Sequence, residues 1–428
     1  MIGKYGKRKT VHCNLIGIYT ASAFNPGAVI VIHAPRSCSH IIHSALPAMR
    51  ERYLKSAGTL SFDLQNLYVT GLSDKEAIFG GEKKLEECLL EIAETRHPSY
   101  MMVAGGCVAG VIGDDIEAVC NKVESETGVP ILYTEGSGFM NDEENDPYIF
   151  TTRLLINKFS PLKRTEEREK TAVILGELFV NNNKFVFESI KKLFSYFGFE
   201  NVYFPLAGME IDDYPLLNKV TLAIAGRGQL NKKREIHAYT KQFAETLGIP
   251  YNLDDLPETP TEVCTWLKKT GGLLQEPEAA EKAIKSEEAQ VESVLKECRP
   301  VLEKKTCMLS FIFSYAYAVP ERLIELVETT GLQIIGFILM PGMADIEKSR
   351  YRKALQKYGK PFYTEEEYLQ SEKAEDFVLA ITEKTYFPKQ FIITQRHIGA
   401  KGICDFWQQL KQFVESGRRV YHEEYQVD

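Results

Sequence analysis

No stretch of this 428-residue chain is apolar enough to cross a membrane as a helix. The longest apolar run, residues 332–340, is interrupted by Gln333 and Gly336 and falls well short of the ~20 residues required. A basic excess is missing too. The net charge is −8, which argues against a surface built for nucleic acid. The nine cysteines are odd in number and dispersed, and none forms a CxxC pair. A complete disulfide framework and a zinc ribbon are both disfavoured on that ground. There is no Walker pattern, no low-complexity tract and no short repeat. Near the start, Lys4, Lys7, Arg8 and Lys9 precede an apolar stretch at 15–19, and Ala21-Ser22-Ala23 mimics a cleavage site. That stretch is shorter than the roughly 7–15 apolar residues of a secretory signal. A cytoplasmic protein is expected.

What is present is an ordinary globular composition, 44% hydrophobic and 26% charged. At about 100–200 residues per domain the length suits two to four domains. Apolar, β-rich runs at 28–33, 66–70, 100–104 and 130–133 alternate with helical patterns at 39–54, 82–95 and 114–127. A charged segment with a proline, 160–170, then reads as a linker. The alternation restarts with strands at 171–178, 201–205 and 220–225. Helices run from a cap at 181–183 to about 196, and over 232–247, where Gly248 ends the second. A long charged helix is expected over 276–304. Strands at 306–313, 332–339, 377–381 and 391–394 follow, with helices at 320–330, 344–358 and 403–416. This order is the signature of βαβ units. The expected fold is α/β, with three Rossmann-like domains and mainly parallel sheets, over 1–165, 166–300 and 301–428.

Ligands of open parallel sheets bind beyond the carboxyl ends of the strands. Cys38 falls at such a place, following the 28–33 strand through Ala34-Pro35-Arg36-Ser37. Cys107 follows the 100–104 strand through Gly105-Gly106. Both precede helices, whose N-termini favour a thiolate. Cys13 lies earlier, in a segment that is neither clear helix nor clear strand. Iron–sulfur clusters need several thiolates gathered from loops, and these three residues would supply them. Their spacing alone leaves three buried thiols as the simpler alternative. Cys88 and Cys120 lie within expected helices and read as core. Cys264, Cys298, Cys307 and Cys404 share no motif and read as buried thiols. Phe79-Gly80-Gly81 reads as a loop preceding a helix, and Gly226-Arg227-Gly228 as a turn.

The residues around these cysteines carry more. Cys107 opens the run Cys107-Val-Ala-Gly-Val-Ile-Gly-Asp-Asp-Ile116, and Ile78-Phe-Gly-Gly-Glu-Lys-Lys-Leu85 stands upstream of it. With Cys13 and Pro35-Arg-Ser-Cys38, this order resembles the nitrogenase component 1 superfamily. That group comprises the α and β subunits of the molybdenum–iron protein, their cofactor-assembly scaffold relatives, and the dark-operative protochlorophyllide and chlorophyllide reductases. The likeness is strongest over about residues 10–140. Beyond that it is one of architecture.

The resemblance implies that Cys13, Cys38 and Cys107 bind an iron–sulfur cluster, P-cluster-like or 4Fe-4S, at a subunit interface. It implies two partners: a homologous component 1 subunit or a second copy of this chain, and an ATP-dependent iron protein that delivers electrons. The Cys that holds the catalytic cofactor in the nitrogenase α subunit has no counterpart in Ala225–Lys233. His397, in Thr394-Gln-Arg-His397, resembles the region of the family's cofactor His and is a candidate ligand or active-site acid. An ordinary loop histidine is the alternative. A second catalytic metal cofactor therefore stays open. The implied function is a nitrogenase-like reductase subunit acting on an unsaturated substrate. The alternative is a scaffold for assembly of a nitrogenase-type cofactor, and the third possibility is a cluster-free α/β binding protein.

Overall fold

The structure, a computed structural model, describes residues 14–40, 42, 66–136, 147–177, 184–227, 233–311, 319–340, 345–371, 375–381, 387, 389–393 and 396–416. Its strands form three sheets, and every strand pair in them is parallel. In each sheet the strand earliest in sequence lies inside, its successor pairs on one side, and a later strand on the other. The first sheet contains β1 (Ala28–His33), β2 (Leu67–Val69), β3 (Tyr100–Gly105) and β4 (Ile131–Glu135) in the order β2-β1-β3-β4. The second contains β5 (Thr171–Leu175), β6 (Asn201–Tyr203), β7 (Leu222–Ala225) and β8 (Tyr251–Asn252) in the order β6-β5-β7-β8. The third contains β9 (Thr306–Phe311), β10 (Gln333–Leu339), β11 (Phe362–Thr364), β12 (Phe377–Ile381) and β13 (Gln390–Ile393), ordered β11-β10-β9-β12-β13. This is the expected α/β class.

The sequence explains these elements locally. All six residues of β1 and of β3 are buried, as continuous apolar runs should be in parallel strands covered on both faces. In the first sheet α1 (Asn14–Ser22) precedes β1, while α2 (Asp74–Phe79) and α3 (Glu82–Arg96) follow β2. Next come α4 (Cys107–Ile112) and α5 (Ile116–Thr127). Helix α3 buries Leu85, Leu89, Ile92 and Ala93, and α5 buries Ile116, Val119, Cys120 and Val123. Both sets have the i, i+3/i+4 spacing of one helix face.

The chain forms two compact units. The first holds the described residues of Met1–Val180, Asn201–Gly228 and Lys232–Leu253, and so the first two sheets with α6 (Pro147–Phe159). The second holds those of Asn181–Glu200, Gln229–Asn231 and Asp254–Asp428, and so the third sheet. Inside the first unit Asn25 joins the two sheets. Its Nδ2 donates to Pro205 O at 3.1 Å and lies 3.3 Å from the Tyr214 hydroxyl, which itself donates to Pro205 O at 2.7 Å. In the second unit α7 (Lys184–Ser195) packs with α10 (Pro277–Leu302) and the closing α14 (Gly399–Ser416). The segment 160–170 contains neither helix nor strand and lies within the first unit.

Several expectations lie partly or wholly outside the described residues: the helix after residue 42, the strand ends at 178, 312–313 and 394, the helix starts at 232 and 344, the cap at 181–183, and Gly228. No described helix is long and apolar enough to cross a membrane.

Candidate metal centre

The carboxyl ends of β1 and β3 lie side by side, with His33 paired in register to Gly105. The loop after β1 passes Ala34 and Pro35 into a helical turn at 36–40. There the Cys38 N–H donates to Pro35 O at 3.0 Å. The loop after β3 is shorter. Gly106 is the extended cap of α4, and Cys107 is the first residue of that helix. The Gly106 N–H donates to His33 O at 2.9 Å. A Cβ at Gly106 would stand 2.6 Å from Ala34 Cβ, so glycine is what lets the two loops meet. Cys38 and Cys107 are both half-buried thiols at this one sheet end. Cys13 lies outside the described residues.

A knot of polar groups fixes these loops from beneath. His33 is fully buried. Its Nε2 lies 2.9 Å from Asp114 Oδ2, and its Nδ1 lies 3.0 Å from Thr70 Oγ1. Burial lowers the His33 pKa, outweighing the bond to Asp114 that raises it. The ring is therefore neutral, with Nε2–H donating to the carboxylate and Nδ1 accepting from the threonine hydroxyl. The other Asp114 oxygen accepts the Gly81 N–H at 2.8 Å. A Cβ on Gly81 would come within 2.6 Å of Leu72 and 2.7 Å of Asp114. The next residue, Asp115, caps α5 by accepting the Ala118 N–H at 3.0 Å, while its own N–H donates to Glu82 Oε1 at 2.8 Å. Lys84 Nζ donates to Gly71 O at 2.8 Å. The two motifs flanking Cys107 are thus one interlocked structure. The Gly81 amide is thereby committed to the Asp114 carboxylate.

Sequence reasoning passed over His33, Asp114 and Thr70. The one available signal was the Asp-Asp pair at the end of the Cys107 motif; nothing in a linear reading joins it to a histidine in β1.

Burial raises the thiol pKa of the remaining described cysteines. Burial pushes Cys88 and Cys264 up to about 11, and Cys120 and Cys404 up to about 12. It also raises Cys298 and Cys307. Cys264, expected to be buried, is only half-buried, and its thiol donates to Glu288 Oε1 at 3.5 Å. Among the described residues no three His, Cys, Asp or Glu side chains converge as a metal-holding group. Cys38 and Cys107 do not make a site by themselves. The donor set fits a cluster that draws further thiolates from elsewhere.

Large apolar side chains are exposed on two helices of this domain. Helix α2 lies against α4, and Ile78, Phe79 and Val111 are 74%, 81% and 71% exposed. At the second sheet, Gly226 N–H donates to Leu175 O at 2.8 Å and Arg227 N–H to Glu177 Oε2 at 3.0 Å. Among the described residues no cysteine stands at this strand end. His397 belongs to the second unit. It is buried, just before α14, with its ring 4.4 Å from that of Phe406.

Three parallel sheets, each built from βαβ-type units, with Cys38 and Cys107 following two adjacent strands of the first, define an α/β architecture of Rossmann-like units. The chain belongs to the nitrogenase component 1 type oxidoreductase family, whose model matches residues 13–397. Among curated relatives, the nitrogenase iron-molybdenum cofactor biosynthesis protein NifE of Methanococcus maripaludis is 30% identical over 151 residues, 35% of this chain and 30% of that protein. The chain thus matches less than a third of that relative's length. NifE of Rhizobium meliloti is 24% identical over 339 residues, covering 77% of this chain and 68% of that one. A solved structure of nitrogenase Cp1 at pH 6.5 shares the fold, with a TM-score of 0.66 at 15% identity, covering 94% of this chain and 88% of the other.

Proposed function

We propose that this chain is the cluster-holding subunit of a nitrogenase-like reductase. In this reading Cys13, Cys38 and Cys107 hold an iron–sulfur cluster at an interface with a homologous subunit or a second copy. The cluster supplies one-electron redox chemistry between a donor and an unsaturated substrate. An ATP-dependent iron protein is the donor, and ATP use falls to it because this sequence contains no Walker pattern. The observation that carries the reading is the placement of Cys38 and Cys107 in the loops after two adjacent strands, whose last residues His33 and Gly105 are paired in register. The exposed Ile78, Phe79 and Val111 support docking of the donor on this same face. His397 is the candidate group for a cofactor or substrate in the second unit.

A second reading, assembly and transfer of a nitrogenase-type cofactor, is favoured by the biosynthetic role that NifE relatives carry in their name. Both readings require the cluster and the donor, and they part at turnover. The test is stopped-flow absorbance of the purified subunit mixed with the iron protein of the same source. Reduction that needs ATP and magnesium, with substrate then consumed, is the expected result. ATP-dependent reduction without substrate turnover, followed by transfer of a metal cluster to an apo-acceptor, selects the scaffold. Reduction at equal speed without nucleotide overturns both.

A further inference from the structure

His397 sits on a segment that is clamped on either side by buried acids. Upstream, Arg396 places Nε and Nη2 each 2.7 Å from Glu258 Oε1, and both side chains are nearly buried. Glu258 lies just before α9 (Pro260–Leu274), beside the Arg322 guanidinium. That guanidinium also pairs with Asp255 at 3.0 Å and Glu262 at 2.7 Å. The Glu258 N–H donates to Glu262 Oε2 at 3.0 Å, so the acid has a fixed backbone. Downstream, the Gly399 N–H donates to Pro257 O at 3.0 Å. The Ala400 N–H, in the first turn of α14, donates to Glu287 Oε2 at 2.7 Å. Glu287 is 1% exposed in the middle of α10, and its other oxygen takes the Tyr196 hydroxyl at 2.8 Å and Lys192 Nζ at 3.2 Å. A Cβ at Gly402 would stand 2.8 Å from the His397 carbonyl carbon, so that turn closes directly over the histidine.

Two buried carboxylates from separate helical segments thus converge on one short stretch of chain, and its only imidazole is His397. Burying a carboxylate is costly unless every oxygen is used. A surface loop histidine would need none of this. We infer that Glu258, through Arg396, and Glu287, through the α14 terminus, are positioning residues that hold the His397 ring in one place against Phe406. The inference rests on the reading of His397 as the group that meets a cofactor or substrate. Its test reads the ring itself.

The experiment is modification of His397 by diethylpyrocarbonate in the full chain, followed by peptide mass spectrometry. Glu258→Ala should be modified at least about tenfold faster than the parent, equivalent to a local release of about 1.4 kcal/mol. Glu258→Gln, which keeps an oxygen for Arg396 Nε, should return the rate toward the parent. Asp376→Asn removes a different ion pair in the same unit, with Lys305 at 2.8 Å. It should leave the rate within about twofold. Equal acceleration in Glu258→Ala and Asp376→Asn, or none in Glu258→Ala, overturns the inference. Should Glu258→Ala fail to fold, Glu287→Ala serves: faster amide exchange at Ala400 with unchanged His397 reactivity overturns it as well. An iron-free preparation would count against the cluster, whereas the order of these rates is independent of iron.

Discussion

Replacing Asp114 tests how the cysteine loops are held. The carboxylate is almost fully buried and accepts from Gly81 N–H and His33 Nε2–H. In Asp114→Ala both donors lose their acceptor without gaining water. Each orphaned buried group costs about 1–3 kcal/mol, so about 2–6 kcal/mol is expected. That is a large part of the roughly 5–15 kcal/mol by which a domain is stable. Asp114→Asn should behave differently. Its amide oxygen can still accept from Gly81, and its NH2 can donate to His33 Nε2 once the ring adopts the other tautomer. The Nδ1–H would then donate to Thr70 Oγ1, 3.0 Å away. The exchange of a charged for a neutral hydrogen bond costs about 1 kcal/mol. Urea unfolding, with amide exchange followed at Gly81, measures both variants. An alanine variant within about 1 kcal/mol of the parent, or an asparagine variant as damaged as the alanine one, would refute the knot as described.

Other consequences are open to direct measurement. His33 is held neutral when folded and can be protonated once unfolded, so its contribution is present above the unfolded pKa of ~6.5 and is lost as pH falls below it. The urea unfolding free energy of the parent should therefore drop from pH 7.5 to 5.5, by at most about 1.4 kcal/mol per pH unit, and His33→Asn should lose that component of the slope. Gly106→Ala forces apart two loops that meet within 2.6 Å of the added Cβ; it should cost about 1–3 kcal/mol and lower iron content with every thiol retained, as elemental analysis would show. Phe79→Ala, at an exposed position, should change the melting temperature little while weakening reduction by the iron protein. Three thiolates leave a cubane one ligand short, so sedimentation should find the cluster-loaded chain as a dimer or in complex with a homologue.

The strands at 28–33 and 100–104 were legible because parallel strands covered on both faces are continuous apolar runs. The edge strands Tyr251–Asn252 and Phe362–Thr364 escaped notice because two or three residues carry no period. Asn14–Ser22 is apolar on all sides, which hides a helical repeat. Two helices had readable starts that went unused: Ser73 with Glu76 forms a capping box, and Thr259-Pro260 caps α9. The closing helix begins at Gly399, earlier than its apolar spacing at 403–416 suggests, because its first turn is capped from another helix by Glu287. The same limit applies at the site. Cys38 and Cys107 stand out beside strand ends, but His33 and Asp114 are 81 positions apart and meet only through the sheet.

The central claim is that Cys13, Cys38 and Cys107 hold an iron–sulfur cluster, and iron with acid-labile sulfide measured on protein purified without oxygen tests it most directly. The parent should be brown and contain both. Cys13→Ala, Cys38→Ala and Cys107→Ala should each lose most of the iron, while Cys264→Ala, whose thiol burial and Glu288 hold protonated, should keep it. A parent without iron, or equal loss from Cys107→Ala and Cys264→Ala, would contradict the assignment.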